Sequence, residues 1–286
     1  MSPFELAEPR TLGEAVVLLG KGDTAARAIA GGTALMLMMK SGVFLPHRLV
    51  SLRRVEARHS EIAATPEGGL RIGAMATLTS LAQSPAVWHA APVITQTLKT
   101  LSNVRVRNVA TLGGHLAHGD PHMDLPPVLT ALGAKVRTLS PAGERTLAVG
   151  ELYTGYYETV LAENELISEL MVPPQDDWRA TYLKITTRAA DDWPTLGIAV
   201  ALRMQANSVN EARIVVSAAT NTPVRLTAAE QLLRGASLDA LTRARCGDAA
   251  AMEVTLAGDA HGSSAYKHEL LRVYVGRALR QFRDTI

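Results

Sequence analysis

The 286-residue sequence contains one cysteine, Cys246. A single cysteine excludes an internal disulfide, and it leaves the chain without the set of thiolates that an iron–sulfur cluster or a Cys-ligated zinc ion requires. Any such cluster that serves this protein must therefore belong to a partner chain.

The sequence also lacks a strong excess of charge and long apolar runs. Its formal net charge is +2, with lysines and arginines spread along the chain, so we expect no nucleic-acid partner. It has no run of about 18 apolar residues, and its first residues are not a basic segment followed by an apolar core. We therefore expect no membrane span and a cytoplasmic location, for a chain of ordinary globular composition.

The motifs of several large enzyme classes are missing as well. The sequence contains no GxGxxG after an expected strand, no GxxxxGK[ST], no GxSxG and no HExxH. These absences argue against a Rossmann dehydrogenase, a P-loop ATPase, an α/β-hydrolase and a zincin.

Two glycine pairs are the most informative features that the sequence does contain. Gly113 and Gly114 lie in a segment that leads into an apolar helical run, and the stretch Ala30 to Ala34 lies between an apolar strand-like segment and a second helical run. Because glycine has no Cβ, its backbone can take positive φ and its amides can approach a ligand closely, which suits a phosphate. Two such loops could hold a diphosphate between them.

The second glycine pair is followed by the segment HLAHGDPHMD, which is rich in metal-ligand types. Imidazole and carboxylate groups suit Zn, Fe or Ni, but the spacing matches no known metal signature, and the glycine and proline within the segment indicate a turning loop. A cofactor loop, a metal site and solvated loop histidines all remain open. The last acidic residue, Asp124, precedes an apolar run that contains Pro126, where it can cap a helix. The candidate ligands are His115, His118, Asp120, His122 and Asp124.

Hydrophobic patterning divides the chain into three parts. An expected strand from Ala25 to Ala30, a helix and a further strand form an α/β unit, a polar stretch from Glu56 to Gly69 separates it from a second one, and Pro173 and Pro174 end that second unit. The second unit contains an expected long helix over residues 87–101. The last third is predicted to contain strands at 181–187, 196–204 and 212–219 and helices at 227–233, 238–250 and 266–282.

Four segments, in this order and spacing, resemble the FAD-binding medium subunit of the molybdenum hydroxylases. This family includes the carbon monoxide dehydrogenase flavoprotein subunit and the flavin domain of xanthine dehydrogenase. The resemblance runs from about Phe4 to the C-terminus. The segments are AGGTALMLMMKSGVFLPHRLVSL, ATLGGHLAHGDPHMDLPPVL, ELISELMVP and YLKITTRAADDWPTLGIAVAL.

The resemblance implies an α+β fold: a two-lobed FAD-binding domain of the vanillyl-alcohol-oxidase/PCMH type, followed by a C-terminal α+β domain with a three-stranded sheet and helices. The lobes would span residues 1–55 and 56–174, and the C-terminal domain residues 178–286. FAD would lie between the two lobes and touch the third part.

Position by position, the resemblance implies two pyrophosphate-binding loops and five further contacts to FAD. His115 stands where the family commonly has Asn or Asp, so its side-chain contact departs from the family pattern. For four of the five further residues there are alternatives: packing for Leu166 and Trp193, a helix cap for Asp124 and a solvated strand lysine for Lys184. Leu101 is implied to add a backbone contact. The implied FAD contacts are Ala30, Gly31, Gly32, Thr33, Ala34, Thr111, Gly113, Gly114, His115, Leu101, Asp124, Leu166, Lys184 and Trp193.

The implied function is electron transfer within a heteromeric molybdenum hydroxylase. FAD on this chain would take electrons from [2Fe–2S] clusters on a small subunit, a large subunit with a molybdenum cofactor would oxidise the substrate, and the assembly would be a dimer of heterotrimers. Two alternatives from other classes are a metal-dependent hydrolase or lyase that uses His115, His118, His122 and Asp120, and a non-catalytic nucleotide-binding scaffold.

Overall fold

The structure, a computed structural model, describes residues 3–20 and 26–282. The strands are β1 (Glu5–Ala7), β2 (Ala26–Ile29), β3 (Arg48–Ser51), β4 (Ile62–Ala64), β5 (Leu70–Gly73), β6 (Lys135–Ser140), β7 (Gly143–Ala148), β8 (Tyr153–Gly155), β9 (Glu158–Thr159), β10 (Leu166–Val172), β11 (Trp178–Ile185), β12 (Leu196–Gln205), β13 (Ser208–Ser217) and β14 (Val224–Arg225). The α-helices are α1 (Leu12–Leu19), α2 (Leu35–Lys40), α3 (Leu78–Gln83), α4 (Pro85–Ala90), α5 (Pro92–Thr100), α6 (Val104–Arg107), α7 (Leu112–Ala117), α8 (Leu125–Ala131), α9 (Thr227–Leu233), α10 (Ala240–Glu253) and α11 (Ser264–Arg280).

The N-terminal sheet is small and parallel, with the strand order β1-β3-β2. Helix α1 packs on it, and the apolar side chains of α1 that recur at helical spacing are buried. The expected strand from Ala25 to Ala30 is β2; Ala25 itself lies outside the described residues. Strand β2 ends directly before the first glycine pair, so the sheet sets where that loop begins.

The central sheet is antiparallel, in the order β4-β5-β10-β6-β7, and carries helices α3 to α8. The expected helix over residues 87–101 is two helices, α4 and α5, because Pro92 cannot donate the backbone hydrogen bond that a continuous helix needs. The residue before this proline, Ala91, is extended away from helical angles, with φ −150° and ψ 69°. Helix α5 ends at Thr100, and the next residue, Leu101, lines the cavity described below.

The C-terminal sheet is antiparallel, in the order β11-β12-β13-β14. The expectation of three strands was wrong by one, because β14 has only two residues and shows no periodicity that a sequence pattern can detect. Helices α9, α10 and α11 cover one face of this sheet, and α8 from the central part packs on β12 and β13. Helix α11 has 17 residues; nowhere in the described chain is a helix both long and apolar enough to cross a membrane.

Candidate functional site

A cavity of about 930 Å³ opens between the loops of the N-terminal sheet, the central helices and strand β11. Its volume lies at the upper end of the range for sites that hold cofactors. All the residues predicted from the sequence line it, although they come from distant parts of the chain. They are Ala30, Gly31, Gly32, Thr33, Ala34, Leu101, Thr111, Gly113, Gly114, His115, Asp124, Leu166, Lys184 and Trp193.

The first glycine loop, Ala30 to Ala34, presents backbone to the cavity. Gly32 has φ +69°, a conformation that glycine adopts at little cost. Helix α2 begins directly after the loop without a side-chain cap, and its first backbone hydrogen bond runs from the Met36 amide to the Gly32 carbonyl. The amides of Thr33 and Ala34 therefore stand outside the helical hydrogen-bond pattern, and they are suited to an anionic ligand.

The second glycine loop has a different construction. Gly113 and Gly114 lie in the first turn of α7, so the expectation of positive φ was wrong. The Gly113 amide donates to the Ala74 carbonyl at 2.7 Å, and the Gly114 amide donates to the Thr111 hydroxyl at 3.2 Å. The amides of this pair are thus already engaged within the protein.

The two glycines of the second loop meet different surroundings. A Cβ on Gly113 would lie 2.7 Å from the Ala74 Cβ, too close for any side chain, so this glycine allows α7 to pack tightly against the chain that follows β5. A Cβ on Gly114 would meet the Thr111 hydroxyl at 3.0 Å and the Ala30 Cβ at 3.8 Å, on the exposed side that lines the cavity. The absence of a side chain at Gly114 leaves room for a ligand between the two loops.

The buried carboxylate of Asp124 joins three parts of the chain. One of its oxygens accepts the Tyr182 hydroxyl at 2.7 Å, and the other accepts the Lys184 ammonium at 2.9 Å. The same ammonium donates to the Thr100 carbonyl at 2.9 Å, next to Leu101. Strand β11 is thereby tied to the end of α5 and the start of α8.

These contacts exclude the helix cap for Asp124 and the solvated position for Lys184. Asp124 occupies the N-cap position of α8, but its side chain makes no capping hydrogen bond, so the cap prediction was wrong. The Lys184 side chain is only 7% exposed, so the solvated-lysine alternative was also wrong. Burial raises the pKa of the Asp124 carboxyl, against the opposing effects of the Lys184 charge and the Tyr182 hydrogen bond. The pair is a buried ion pair that fixes this wall of the cavity.

The apolar wall contains Leu101 and Leu166, which are 6% and 8% exposed. Leu166 packs in the hydrophobic core of the N-terminal sheet, so the packing alternative and a place on the cavity wall both hold for it. The backbone after Leu101 is unusual, because Ser102 has φ +54°. The Arg107 guanidinium donates to the carbonyl oxygens of both residues and holds this bend.

The three histidines of the second segment have different neighbours. The Nε2 atom of His115 is buried beside the cavity without a hydrogen-bond partner, and burial, with His118 nearby, lowers the pKa of His115 to about 4. His118 packs edge-on against Tyr157 at 5.1 Å between ring centres. His122 instead faces Asp120, with 3.0 Å between Nδ1 and Oδ1.

The metal-dependent alternative needs these side chains to converge. Across residues 3–20 and 26–282, no group of three or more histidine, cysteine or acidic side chains is placed to hold a metal ion. The described residues therefore offer no metal centre for a hydrolase or lyase built on His115, His118, His122 and Asp120.

Trp193 lies on the loop that follows β11 and is 55% exposed. Its ring stacks on the ring of His122, with 5.3 Å between centres and 11° between planes. It also lines the cavity, so packing and a cavity-facing position hold together for this residue as well.

Sequence reasoning missed several cavity residues. Phe44 is stacked under the Arg27 guanidinium, 4.9 Å from the ring centre, and lies within a quoted family segment, but no spacing marked it. The loop between Lys184 and Trp193 could have been included by continuity, whereas His261 lies far along the chain from both and carries no local signal. The missed residues include Arg27, Ile29, Phe44, Met75, Ser102, Ile167, Arg188, Asp191, Asp192 and His261.

The lining fits a dinucleotide that carries a large planar ring. The first loop offers backbone amides to a diphosphate, and the missing side chain at Gly114 leaves space beside them. The apolar wall suits an aromatic ring system, and the buried Nε2 of His115 is a polar atom that a ligand can satisfy. FAD has each of these parts.

Comparison with known proteins identifies the family. The protein-family model described as the FAD binding domain in molybdopterin dehydrogenase matches residues 2–175. The family model described as the CO dehydrogenase flavoprotein C-terminal domain matches residues 181–282. The carbon monoxide dehydrogenase medium chain of Hydrogenophaga pseudoflava is 32% identical over 96% of both chains. The nicotine 6-hydroxylase medium subunit of Paenarthrobacter nicotinovorans is 30% identical over 96% of this chain and 95% of its own.

Solved structures share the complete fold. A chain of the carbon monoxide dehydrogenase from Hydrogenophaga pseudoflava, in a form that lacks the Mo-pyranopterin moiety of the molybdenum cofactor, superposes with a TM-score of 0.93 at 33% identity, covering 98% of this chain and 96% of that one. A chain of quinoline 2-oxidoreductase from Pseudomonas putida 86 gives a TM-score of 0.92 at 28% identity with the same coverage. This chain belongs to the FAD-binding medium subunits of the molybdenum hydroxylases, the flavoprotein subunits of molybdenum-containing dehydrogenases.

Proposed function

We propose that this chain is an electron relay, which takes electrons from [2Fe–2S] clusters on a small partner subunit and passes them through FAD to a final acceptor. The observation that carries the proposal is the convergence of the implied FAD residues, from separate segments, on one cavity. A flavin relay needs its cofactor held in a fixed place, and the protein supplies that binding, orientation and electrostatics while FAD supplies the redox chemistry.

Each wall of the cavity has a distinct part in this proposal. The amides of the first loop bind the diphosphate, and Gly114 lets the second loop approach it without a side chain in the way. Leu101 and Leu166 would supply an apolar wall for the flavin ring and would help to exclude water from it. Asp124 and Lys184 hold β11 against the central helices, so that the ring wall keeps its shape.

The partners are proposed from the chemistry that this chain lacks. Cys246, the lone cysteine, is buried, its thiol donates to the Ala229 carbonyl at 3.5 Å, and burial raises its pKa to about 12, so it is unsuited to hold a cluster. The names of the relatives, a medium chain and a medium subunit, describe parts of larger enzymes. We therefore propose a small iron–sulfur subunit, a large molybdenum-cofactor subunit and a dimer of heterotrimers. The cytoplasmic location and the domain limits 1–55, 56–174 and 178–286 stay predictions.

Purification of the tagged chain from its native host tests the proposal. We expect two further subunits, bound FAD, molybdenum, and about four iron atoms per FAD if the small subunit carries two [2Fe–2S] clusters. A chain that purifies alone with FAD and no iron would contradict the relay, and a colourless chain would contradict the cofactor site itself.

A further inference from the structure

His122 lies between two carboxylates that belong to different domains. Its Nδ1 is 3.0 Å from Asp120 Oδ1, and its Nε2 is 3.5 Å from Asp259 Oδ2. The His122 side chain is 9% exposed and that of Asp120 is 4% exposed, so this contact is shielded from solvent, whereas the Asp259 side chain is 31% exposed. The imidazole therefore bridges the second glycine segment and the segment that precedes α11.

Both carboxylates are held in place by other donors. Asp120 accepts the backbone amide of His122 at 2.9 Å and the Tyr157 hydroxyl at 3.0 Å. Asp259 forms an ion pair with the fully buried Lys267, whose Nζ lies 2.7 Å from Oδ2, and it accepts the His261 amide at 2.8 Å. The bridge is thus built on fixed partners at both ends.

The hydrogen-bond chemistry of this arrangement favours a charged imidazole. A neutral imidazole has one N–H, whereas the imidazolium has two and can donate to a carboxylate on each side. Burial, the largest single influence, opposes the charge, but Asp120 and Asp259 together raise the pKa of His122 above its ordinary value. His122 is therefore expected to carry its proton further into the neutral range than a free histidine does.

The surroundings of His122 contain both signs of charge. The glycine segment and the hairpin of β8 and β9 contribute Asp120, His118 and Tyr157, and the segment before α11 contributes Asp259, His261 and Lys267. The loop that carries Trp193 contributes Arg188, Asp191 and Asp192, which line the same cavity. The two carboxylates in contact with the ring are the groups that favour its protonated form.

One face of the His122 ring stacks on the ring of Trp193. The two rings are nearly parallel, at 11°, with centres 5.3 Å apart. An imidazolium attracts the electron-rich face of an indole more strongly than a neutral imidazole does, in the manner of other cation–π pairs. Trp193 is 55% exposed, and one face of its ring rests on His122 through this stack.

We propose that His122 is a positioning residue: as a cation held between Asp120 and Asp259, it fixes Trp193 as a wall of the cavity, and loss of its proton loosens that wall. The stack of Trp193 on His122 is a contact within this chain; that the wall it forms faces a flavin rests on the proposed function. Access to the cavity beside Trp193 then depends on pH, because Trp193 is held against His122 in acid and is held less firmly when His122 is neutral.

Nuclear magnetic resonance of the indole N–H groups tests this inference, because the full chain has three tryptophans. Trp88 lies near Lys99, and Trp178 lies under Arg203 and Arg213, so neither stacks on a histidine and both serve as internal references. We expect the Trp193 signal alone to shift between about pH 5 and pH 9, with a midpoint above about 6.5 that matches the His122 ring signal.

Variants separate His122 from its neighbours. His122→Gln should abolish the pH-dependent shift of Trp193, and in His122→Arg, which keeps a charge at every pH, the signal should stay constant across the range. Asp259→Asn should lower the midpoint. His118→Gln, a change in the same segment that does not touch Trp193, should leave the shift intact. A Trp193 signal that does not move with pH, or that moves equally in His122→Gln, would overturn the proposal.

The same samples keep this test independent of the FAD assignment. Flavin content is measured from the visible spectrum of each variant before the titration. A chain that binds no FAD but shows the His122-dependent shift would refute the proposed function and leave the bridge intact. A chain with full FAD and no such shift would overturn the role of His122 and leave the FAD site of the proposed function intact.

Discussion

The two glycine loops share a Gly-Gly pair but use it differently. In each pair the first glycine allows close packing: a Cβ on Gly31 would lie 2.2 Å from the Val109 carbonyl oxygen, and one on Gly113 would lie 2.7 Å from the Ala74 Cβ. The second glycines diverge. Gly32 takes a left-handed conformation ahead of uncapped amides, whereas Gly114 lies in a helical turn whose amide is already bonded.

This difference separates two functions that a glycine pair can serve. The first loop can offer backbone donors to a diphosphate, and the second loop offers space. Gly31 also links the loops, because it packs on the backbone of Val109 just ahead of the second loop. The following predictions test whether the loops are as different as the structure indicates.

The largest effect is expected at the ion pair that anchors the segment after the second loop. Asp124→Ala leaves the Lys184 ammonium buried without its countercharge, which costs about 3–5 kcal/mol of stability. Urea unfolding measures this cost, and FAD retention should fall with it. In the double variant Asp124→Ala/Lys184→Met the free energy of unfolding should recover in part. A single variant as stable as the native chain would show that the pair is no anchor.

A slightly smaller effect is expected where the loops touch. Gly31→Ala places a Cβ against the Val109 carbonyl and should cost about 3 kcal/mol, since the contact is with backbone that cannot move aside easily. The comparison variant is Gly276→Ala in α11, where the nearest atom to a Cβ would be 3.5 Å away. Equal urea midpoints for the two variants would contradict the tight contact between the loops.

Gly114→Val tests the space that the second loop provides. The side chain would enter the cavity, so FAD affinity should drop by about a hundredfold or more, or about 2.7 kcal/mol. The urea midpoint of the FAD-free chain should fall less than in Gly31→Ala, because the nearest atom is the Thr111 hydroxyl at 3.0 Å and not backbone. Gly13→Val is the matched control, because Gly13 also lies in the first turn of a helix with a threonine cap and has nothing closer than 3.9 Å. Full flavin occupancy in Gly114→Val would show that the second loop is not part of the FAD site.

The smallest effect at any one pH step concerns His115 at the end of the second loop. Its pKa is about 4 in the folded chain and near 6.5 when unfolded, so the unfolded chain binds more protons between these values. Stability should therefore fall as the pH is lowered from about 6.5 to about 4, by at most about 1.4 kcal/mol per pH unit. The free energy of unfolding of His115→Gln should lose this part of the slope, and that of the exposed-site control His47→Gln should keep it.

The sequence predicted much of this site because its signals are local or ordered along the chain. The glycine pairs, the segment around Asp124 and the resemblance over four segments were enough to select residues that line one cavity. The predicted bounds of the strands and helices in the last third lie close to the observed bounds, because the apolar patterns of these elements are long.

Contacts between distant residues could not be predicted in the same way. Asp124 and Lys184 are 60 residues apart, so the sequence offered a local role, a helix cap, for a side chain whose partners lie on another strand. The amides of the second loop are bonded to Ala74 and Thr111, which no spacing reveals. The stack of His122 on Trp193 likewise exists only in the folded chain.

The central claim is that electrons leave the clusters through FAD on this chain. The native complex and a complex built with Gly114→Val are reduced anaerobically with dithionite, freed of excess reductant, and mixed with oxygen, a quinone or NAD while the cluster absorbance is followed. The account predicts rapid cluster reoxidation in the native complex by at least one acceptor, and reoxidation in the Gly114→Val complex that is slowed in proportion to the FAD it has lost. Equal reoxidation rates in the two complexes would contradict it.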